Sequence, residues 1–147
     1  MLEDRLVEII ESRSDELAMR WYKEVKDSPY TPNIRLLTEE EALSVARNIY
    51  QKLSYWLIPG QESRVKDVYV SFGASMFNKG FRMEEIVMIL VLVKRHLWLH
   101  LLEEGLMTTN IDIYQALDLN NKVVLYFDRA IYFSLVGYRD EKARTQR

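Results

Sequence analysis

Residues 82–105 read Arg82-Met83-Glu84-Glu85-Ile86-Val87-Met88-Ile89-Leu90-Val91-Leu92-Val93-Lys94-Arg95-His96-Leu97-Trp98-Leu99-His100-Leu101-Leu102-Glu103-Glu104-Gly105, and how this stretch is read decides the fold. The eight apolar residues 86–93 are β-branched enough to suit a buried strand, since a short apolar run does not by itself separate strand from helix. Length and flanks decide for a helix. No turn interrupts about 20 residues, Glu84 and Glu85 stand where a helix presents its positive end, and Gly105 supplies a stop. A helix apolar nearly all round belongs in the middle of its domain, surrounded by the others. It does not span a bilayer, because Lys94, Arg95, His96 and His100 arrive before the roughly 20 apolar residues that a span needs.

Outward from this helix, turn chemistry divides the chain into about five helices, an all-α single-domain bundle with a buried central helix. The first runs from Leu2 to about Lys26, with an expected kink at Ser12-Arg13-Ser14, and ends at Ser28-Pro29-Tyr30-Thr31-Pro32. Thr38-Glu39-Glu40-Glu41 is a capping box, in which the threonine oxygen accepts from the Glu41 amide and the Glu41 carboxylate reaches back. The second helix follows from Glu39 to about Leu57, closed by Pro59-Gly60. The third, about Ser63 to Asn78, carries Gly73 in its interior at a cost of about 1 kcal/mol against alanine, which suggests that another helix approaches closely there. Gly80 suits the left-handed position after that helix, with Phe81 as the accompanying apolar contact. The fourth is residues 83–104. The fifth runs from about Asn110 to Val136, with Gly137 as its expected terminator. Residues 1–138 thus form the helical domain and residues 139–147 a charged tail or the start of a linker.

With 147 residues, 48% of them hydrophobic, the chain is long enough for one core without staples. It contains no cysteine, so disulfides, thiolate zinc sites and cysteine nucleophiles are excluded. Twenty Lys and Arg against 22 Asp and Glu leave a net charge of −2, with no cationic field to hold nucleic acid. The first residues, Met1-Leu2-Glu3-Asp4, lack the charge pattern and apolar core of a secretory signal. A cytoplasmic location is the expectation.

His96 and His100 stand four apart, which places both imidazoles on one helical face, where they could present two nitrogens to a metal or one to a haem. Further ligands are not evident, and the intervening residues are Leu97-Trp98-Leu99, without the glutamate of a zinc-protease motif. No resident cofactor is therefore expected, and histidines bonded to helix backbone or to neighbouring carboxylates at the bundle edge are the simpler reading. Lys94 and Arg95 lie within the apolar helix, and Asn121 and Asp128 share a face of the fifth helix with Leu117, Val124, Leu125 and Tyr132. If that face is buried, these groups need partners, which predicts a buried polar network of Lys94, Arg95, His96, Asn121 and Asp128, with Asp128 meeting Arg95 or His96. Aromatic residues crowd the chain. Tyr50, Tyr55 and Trp56 end the second helix, and an apolar pocket is expected around Phe72, Met76, Met88, Trp98 and Tyr132.

Three stretches together carry a family pattern. They are Trp21-Tyr22-Lys23-Glu24-Val25 followed by Tyr30; Lys79-Gly80-Phe81-Arg82-Met83-Glu84-Glu85-Ile86-Val87 with Lys94-Arg95-His96-Leu97-Trp98; and Phe127-Asp128-Arg129-Ala130-Ile131-Tyr132-Phe133 ending in Gly137-Tyr138. The pattern resembles the RsbRD amino-terminal domain family, the helical sensory domain of RsbT co-antagonist proteins, also found ahead of bacterial histidine kinases. The resemblance implies a non-catalytic input module in stress or two-component signalling, with a globin-like arrangement of helices that lacks haem. Implied partners are a kinase or a stressosome-type component. No STAS or kinase domain follows, so a stand-alone relative or an excised sensor is expected.

Three functions compete on these grounds. A regulatory module needs two packings of similar free energy, biased by a ligand or partner, and should show an apolar patch on the outer face of the first or last helix, or a homodimer. A haem or metal sensor needs His96 or His100 as a ligand, and an apolar small-ligand domain needs a cavity. An enzyme would need Asp128 beside His96, and no nucleophile motif accompanies them.

Overall fold

The computed structural model describes residues 2–146, and the chain folds as one all-helical domain with no strand among them. Its helices are α1 (Leu2–Ser12), α2 (Ser14–Asp27), α3 (Glu39–Gln51), α4 (Leu53–Trp56), α5 (Glu62–Asn78), α6 (Met83–Glu104) and α7 (Asn110–Thr145), with a 3-10 turn at Pro32–Leu36 between α2 and α3. Five expected segments have become seven α-helices because two of them break. The first breaks at Arg13, inside the expected kink, and the second at Lys52, whose φ of −117° leaves the helical region.

The expected helix ends are present. Thr38 Oγ1 accepts from Glu41 N at 3.1 Å, and Thr38 N donates to the Glu41 carboxylate at 2.9 Å. These bonds, the Thr38 amide first, hold the Glu41 carboxyl below its ordinary pKa. Gly80 has φ +94°, and the amides of Gly80 and Phe81 donate back to the carbonyls of Phe77 and Met76, the pairing of a Schellman end. Phe81 is buried beneath it. Thr109 and Asp112 form a further capping box at the start of α7.

The central helix is largely enclosed over its first half, where Glu85, Ile86, Ile89, Leu90, Leu92 and Val93 are buried. Two side chains clamp it by its backbone. Trp21 of α2 donates its indole N–H to Ile89 O at 3.0 Å, and Tyr50 of α3 donates its hydroxyl to Val93 O at 2.6 Å, one turn further on. Both carbonyls sit inside a helix, and each uses a second lone pair for the contact. The buried Glu85 carboxylate accepts from Arg82 N, Asn33 N and Asn33 Nδ2, all within 2.8 Å, and so ties the 3-10 turn to the start of α6. The expected all-round enclosure does not hold: in the first half Val87, Met88 and Val91 are only half-buried, and in the second half Arg95, Leu99 and Leu102 are exposed.

α5 packs mainly on α7, the most extensive helix contact in the molecule. Contacts advance together along both helices, from Tyr69 with Tyr126 through Gly73 with Ser134 to Phe77 with Tyr138, so the two run parallel. Gly73 was expected to admit a close neighbour, and it does. A Cβ on Gly73 would run into the carbonyl oxygen of Ser134, and a Cβ on Gly137 into that of Val70. Gly137 is therefore not a terminator. It lies buried within α7, which continues to Thr145, because the helix needs a residue without a side chain where it meets α5.

Gly73→Ala and Gly137→Ala should each destabilise the fold by about 1–3 kcal/mol, since the added methyl meets backbone that cannot rotate aside. The double variant should cost less than the sum, because one separation of α5 from α7 accommodates both methyls. Urea midpoints measure both effects, and additive losses would show that the two contacts are independent.

Candidate functional site

The two histidines are brought to the interface of α6 with α2, and each meets acids. His96 Nε2 lies 2.8 Å from Glu24 Oε1. His100 is 3% exposed, with Nε2 3.3 Å from Glu104 and Nδ1 4.0 Å from Glu103, and neither nitrogen makes a well-aligned hydrogen bond. The acids are held in turn from α2. Arg20 bonds Glu103 at 3.0 Å and Glu16 at 3.0 Å, and Arg13 approaches Glu104 at 3.9 Å. The Arg20 guanidinium, followed by the nearby His100, keeps the Glu103 carboxyl below its ordinary pKa. Neither imidazole lines any of the five main grooves. No group of three His, Asp or Glu side chains among the described residues is arranged to hold a metal.

The expected buried network does not form. Arg95, Asn121 and Asp128 are exposed, Lys94 is half-buried, and His96 takes Glu24 in place of Asp128. The reason lies in α7, which carries two apolar faces. Its buried face runs through Ala116, Leu119, Val123, Tyr126, Phe127, Ala130, Ser134 and Gly137, whose small members allow close approach to α5. The bulkier face is left outside. Ile111, Tyr114, Leu117, Leu125 and Tyr132 are 49% to 74% exposed, and with Asn121 and Asp128 they follow one another at spacings of three or four residues, a single stripe. The stripe covers about 32 Å of helix at 1.5 Å per residue.

The five expected pocket residues are not brought together either. Met76 is core, Tyr132 belongs to the outer stripe, Trp98 is half-buried, and Met88 lines a small groove beside Pro29, Pro32 and Glu85. Phe72 alone lines the largest groove, a space of about 690 Å³ walled by Val45, Ile49, Lys52, Tyr55, Trp56, Val68 and Tyr69 among others. This groove opens where α3, which packs on α2, and α5, which packs on α7, scarcely touch. The clustering of Tyr55 and Trp56 at the end of the second expected helix was the sequence signal for it. Val45 and Lys52 gave none, because their positions read as ordinary helix surface, and Val68 read as part of the apolar stripe of the third helix, although it is 46% exposed at the groove.

Beneath the groove lies an aromatic cluster. Trp56 is 6.2 Å from Tyr69 and 5.5 Å from Tyr126 by ring centroid, and the Tyr69 and Tyr126 rings meet edge to face at 6.0 Å. The Tyr69 and Tyr126 hydroxyls are hydrogen-bonded to each other in the buried interface of α5 with α7.

The model of the family described as the RsbT co-antagonist protein rsbRD N-terminal domain matches residues 15–147. The chain belongs to that family. No curated protein and no solved structure gives a significant match. In this RsbRD amino-terminal domain the match spans α2 to α7 and thus includes the groove, the tyrosine pair and the outer stripe. No helix among the described residues is long and apolar enough to cross a membrane.

Burial raises the pKa of Tyr50, Tyr69 and Tyr126 above the ordinary 10.0. Their folded form is the neutral one, so the stability they contribute is fully present below the unfolded value and is lost progressively as pH rises from there toward the raised folded value. The urea midpoint of this RsbRD domain should therefore fall steeply at the alkaline end of a series over roughly pH 8 to 12. A midpoint that stays level there would contradict the assignment.

The shared hydroxyl bond gives a second test. Tyr69→Phe or Tyr126→Phe leaves one buried hydroxyl alone and should cost about 1–3 kcal/mol, whereas the double variant removes both polar atoms and should recover part of the loss. A double-mutant cycle in urea reads the coupling, and its absence would mean that the two hydroxyls act separately.

Proposed function

We propose that this domain is a non-catalytic regulatory input module of bacterial signal transduction, of the stress-response or two-component type, and that it pairs with a second copy through the outer stripe of α7. The observation that carries the reading is that stripe. Five large apolar side chains lie exposed along one line of α7, and monomeric soluble proteins seldom leave a long contiguous apolar surface to water. An apolar patch on the outer face of the last helix is also what separates a regulatory module from a cofactor sensor or an enzyme. Membership of a family described by RsbT co-antagonism supports the same direction.

The mechanism follows from geometry. One side of α7 is fixed to α5 by contact without intervening side chains, and the other side faces the second copy. A two-fold pair would bury the same stripe twice, with Asn121 and Asp128 placed among the apolar contacts to set register. A change in how α5 meets α7 then alters the surface offered to the second copy and to a kinase or stressosome-type partner. The module needs only a differential affinity of a few kcal/mol between two packings to respond.

Light scattering on the purified domain over a range of concentrations tests the pairing. A dimer is expected, and Leu117→Glu with Tyr132→Glu should yield a monomer with an unchanged helical circular dichroism spectrum, since both positions are exposed. A wild-type protein that is monomeric throughout, or a variant that still pairs, would exclude the α7 stripe as the interface.

A further inference from the structure

We propose that the groove between α3, α4 and α5 binds a small organic monoanion with an aliphatic or aromatic body, and that Tyr69 transmits its occupancy to α7. The coupling to a partner rests on the regulatory reading above, whereas the binding itself does not.

The volume of about 690 Å³ falls within the range of small-molecule sites, about 300–1,000 Å³, and the walls are of the usual kind for one. Val45, Ile49, Trp56, Val68, Tyr69 and Phe72 supply an apolar surface with three aromatic rings. The charge is one-sided. Lys52 is the charged residue of the lining, it makes no ion pair among the described residues, and no carboxylate lines the groove. Arg64 adds a second cation at the rim, donating to the Tyr55 hydroxyl at 3.2 Å. Apolar walls with cations at the edge complement a molecule that is apolar along its length and anionic at one end. A neutral molecule would leave Lys52 unused, and a cation would be repelled.

Position makes the groove more than a surface feature. It occupies the seam between the α2–α3 pair and the α5–α7 pair, so a ligand there touches both. Tyr69 presents its ring to the groove and its hydroxyl to Tyr126 of α7, and Trp56 stacks near both. Tyr126 is the neighbour in sequence of Leu125, which belongs to the outer stripe. A body wedged against Trp56 and Tyr69 therefore bears on the helix that carries the proposed interface, through two aromatic contacts and one hydrogen bond.

The test uses three ten-carbon probes, decanoate, decanol and decylammonium, titrated by calorimetry into the whole domain and into the Leu117→Glu/Tyr132→Glu variant. Decanoate should bind more tightly than decylammonium, and Lys52→Gln should weaken decanoate about three-fold while leaving decanol unchanged, as expected for one partly exposed charge contact. Val68→Trp, which fills the groove from a half-exposed wall, should abolish saturable binding of all three. Hydrogen exchange of α7 amides around Tyr126 should slow on decanoate binding, and Tyr126→Phe, which removes the hydroxyl bond at a residue that does not line the groove, should keep the binding and lose that slowing. Equal affinity for decanoate and decylammonium, or binding that survives Val68→Trp, would overturn the site. Unchanged exchange in α7 would overturn the relay. Because the stripe variant reads binding without pairing, loss of the dimer alone sinks only the proposed interface, and loss of decanoate binding from an intact dimer sinks only the groove.

Discussion

The closest constraint in the molecule is the meeting of α5 and α7 at Gly73 and Gly137. At each point the backbone of one helix lies against the backbone of the other, in space that a single methyl group would fill. Such an approach sets both the distance between the helices and their rotation about their own axes, because only one face of each can come so near. Once α7 is rotated to present Ala130, Ser134 and Gly137 to α5, Tyr126 must point at Tyr69, and Leu117, Leu125 and Tyr132 must point away. The exposed stripe and the tyrosine pair are two consequences of one contact.

A different kind of interaction holds the other half of the domain. α2 and α3 grip the enclosed part of α6 through Trp21 and Tyr50, which bond to carbonyls one turn apart, while Glu85 ties the 3-10 turn to the first turn of the same helix. These are directional bonds, buried at Trp21 and Tyr50 and partly buried at Glu85, and where such a group is buried a lost partner costs more than the bond itself contributes. They resist sliding of α6 along its neighbours. The two halves are thus joined internally by different means, and the groove lies along the line where they meet least.

Much of the fold was legible in the chain. The Thr38 capping box, the Schellman end at Gly80 with Phe81, the kink at Arg13 and the span of α6 all rest on chemistry between residues within a turn or two of each other, so local sequence suffices to specify them. The family was legible too, because its pattern is a spacing of residues along helices. The candidate site was legible only in part. Tyr55, Trp56 and Phe72 could be picked out as aromatic residues near helix ends, but the pocket was assigned to Met76, Met88, Trp98 and Tyr132, which face four different surroundings. Composition indicates that apolar surface must find a partner and leaves open which partner that will be.

By itself, then, the sequence determined that the protein is a bundle of helices, where most of them begin and end, and that a largely apolar helix runs through its middle. Tertiary structure alone decided which of two apolar faces of α7 is buried, which acid meets His96, and where a groove remains. The physical reason is one of range. Caps and turns are settled by hydrogen bonds between near neighbours, whereas the choice of face is settled by how closely two helices can pack, and that depends on the absence of side chains at Gly73 and Gly137, 64 residues apart in the chain.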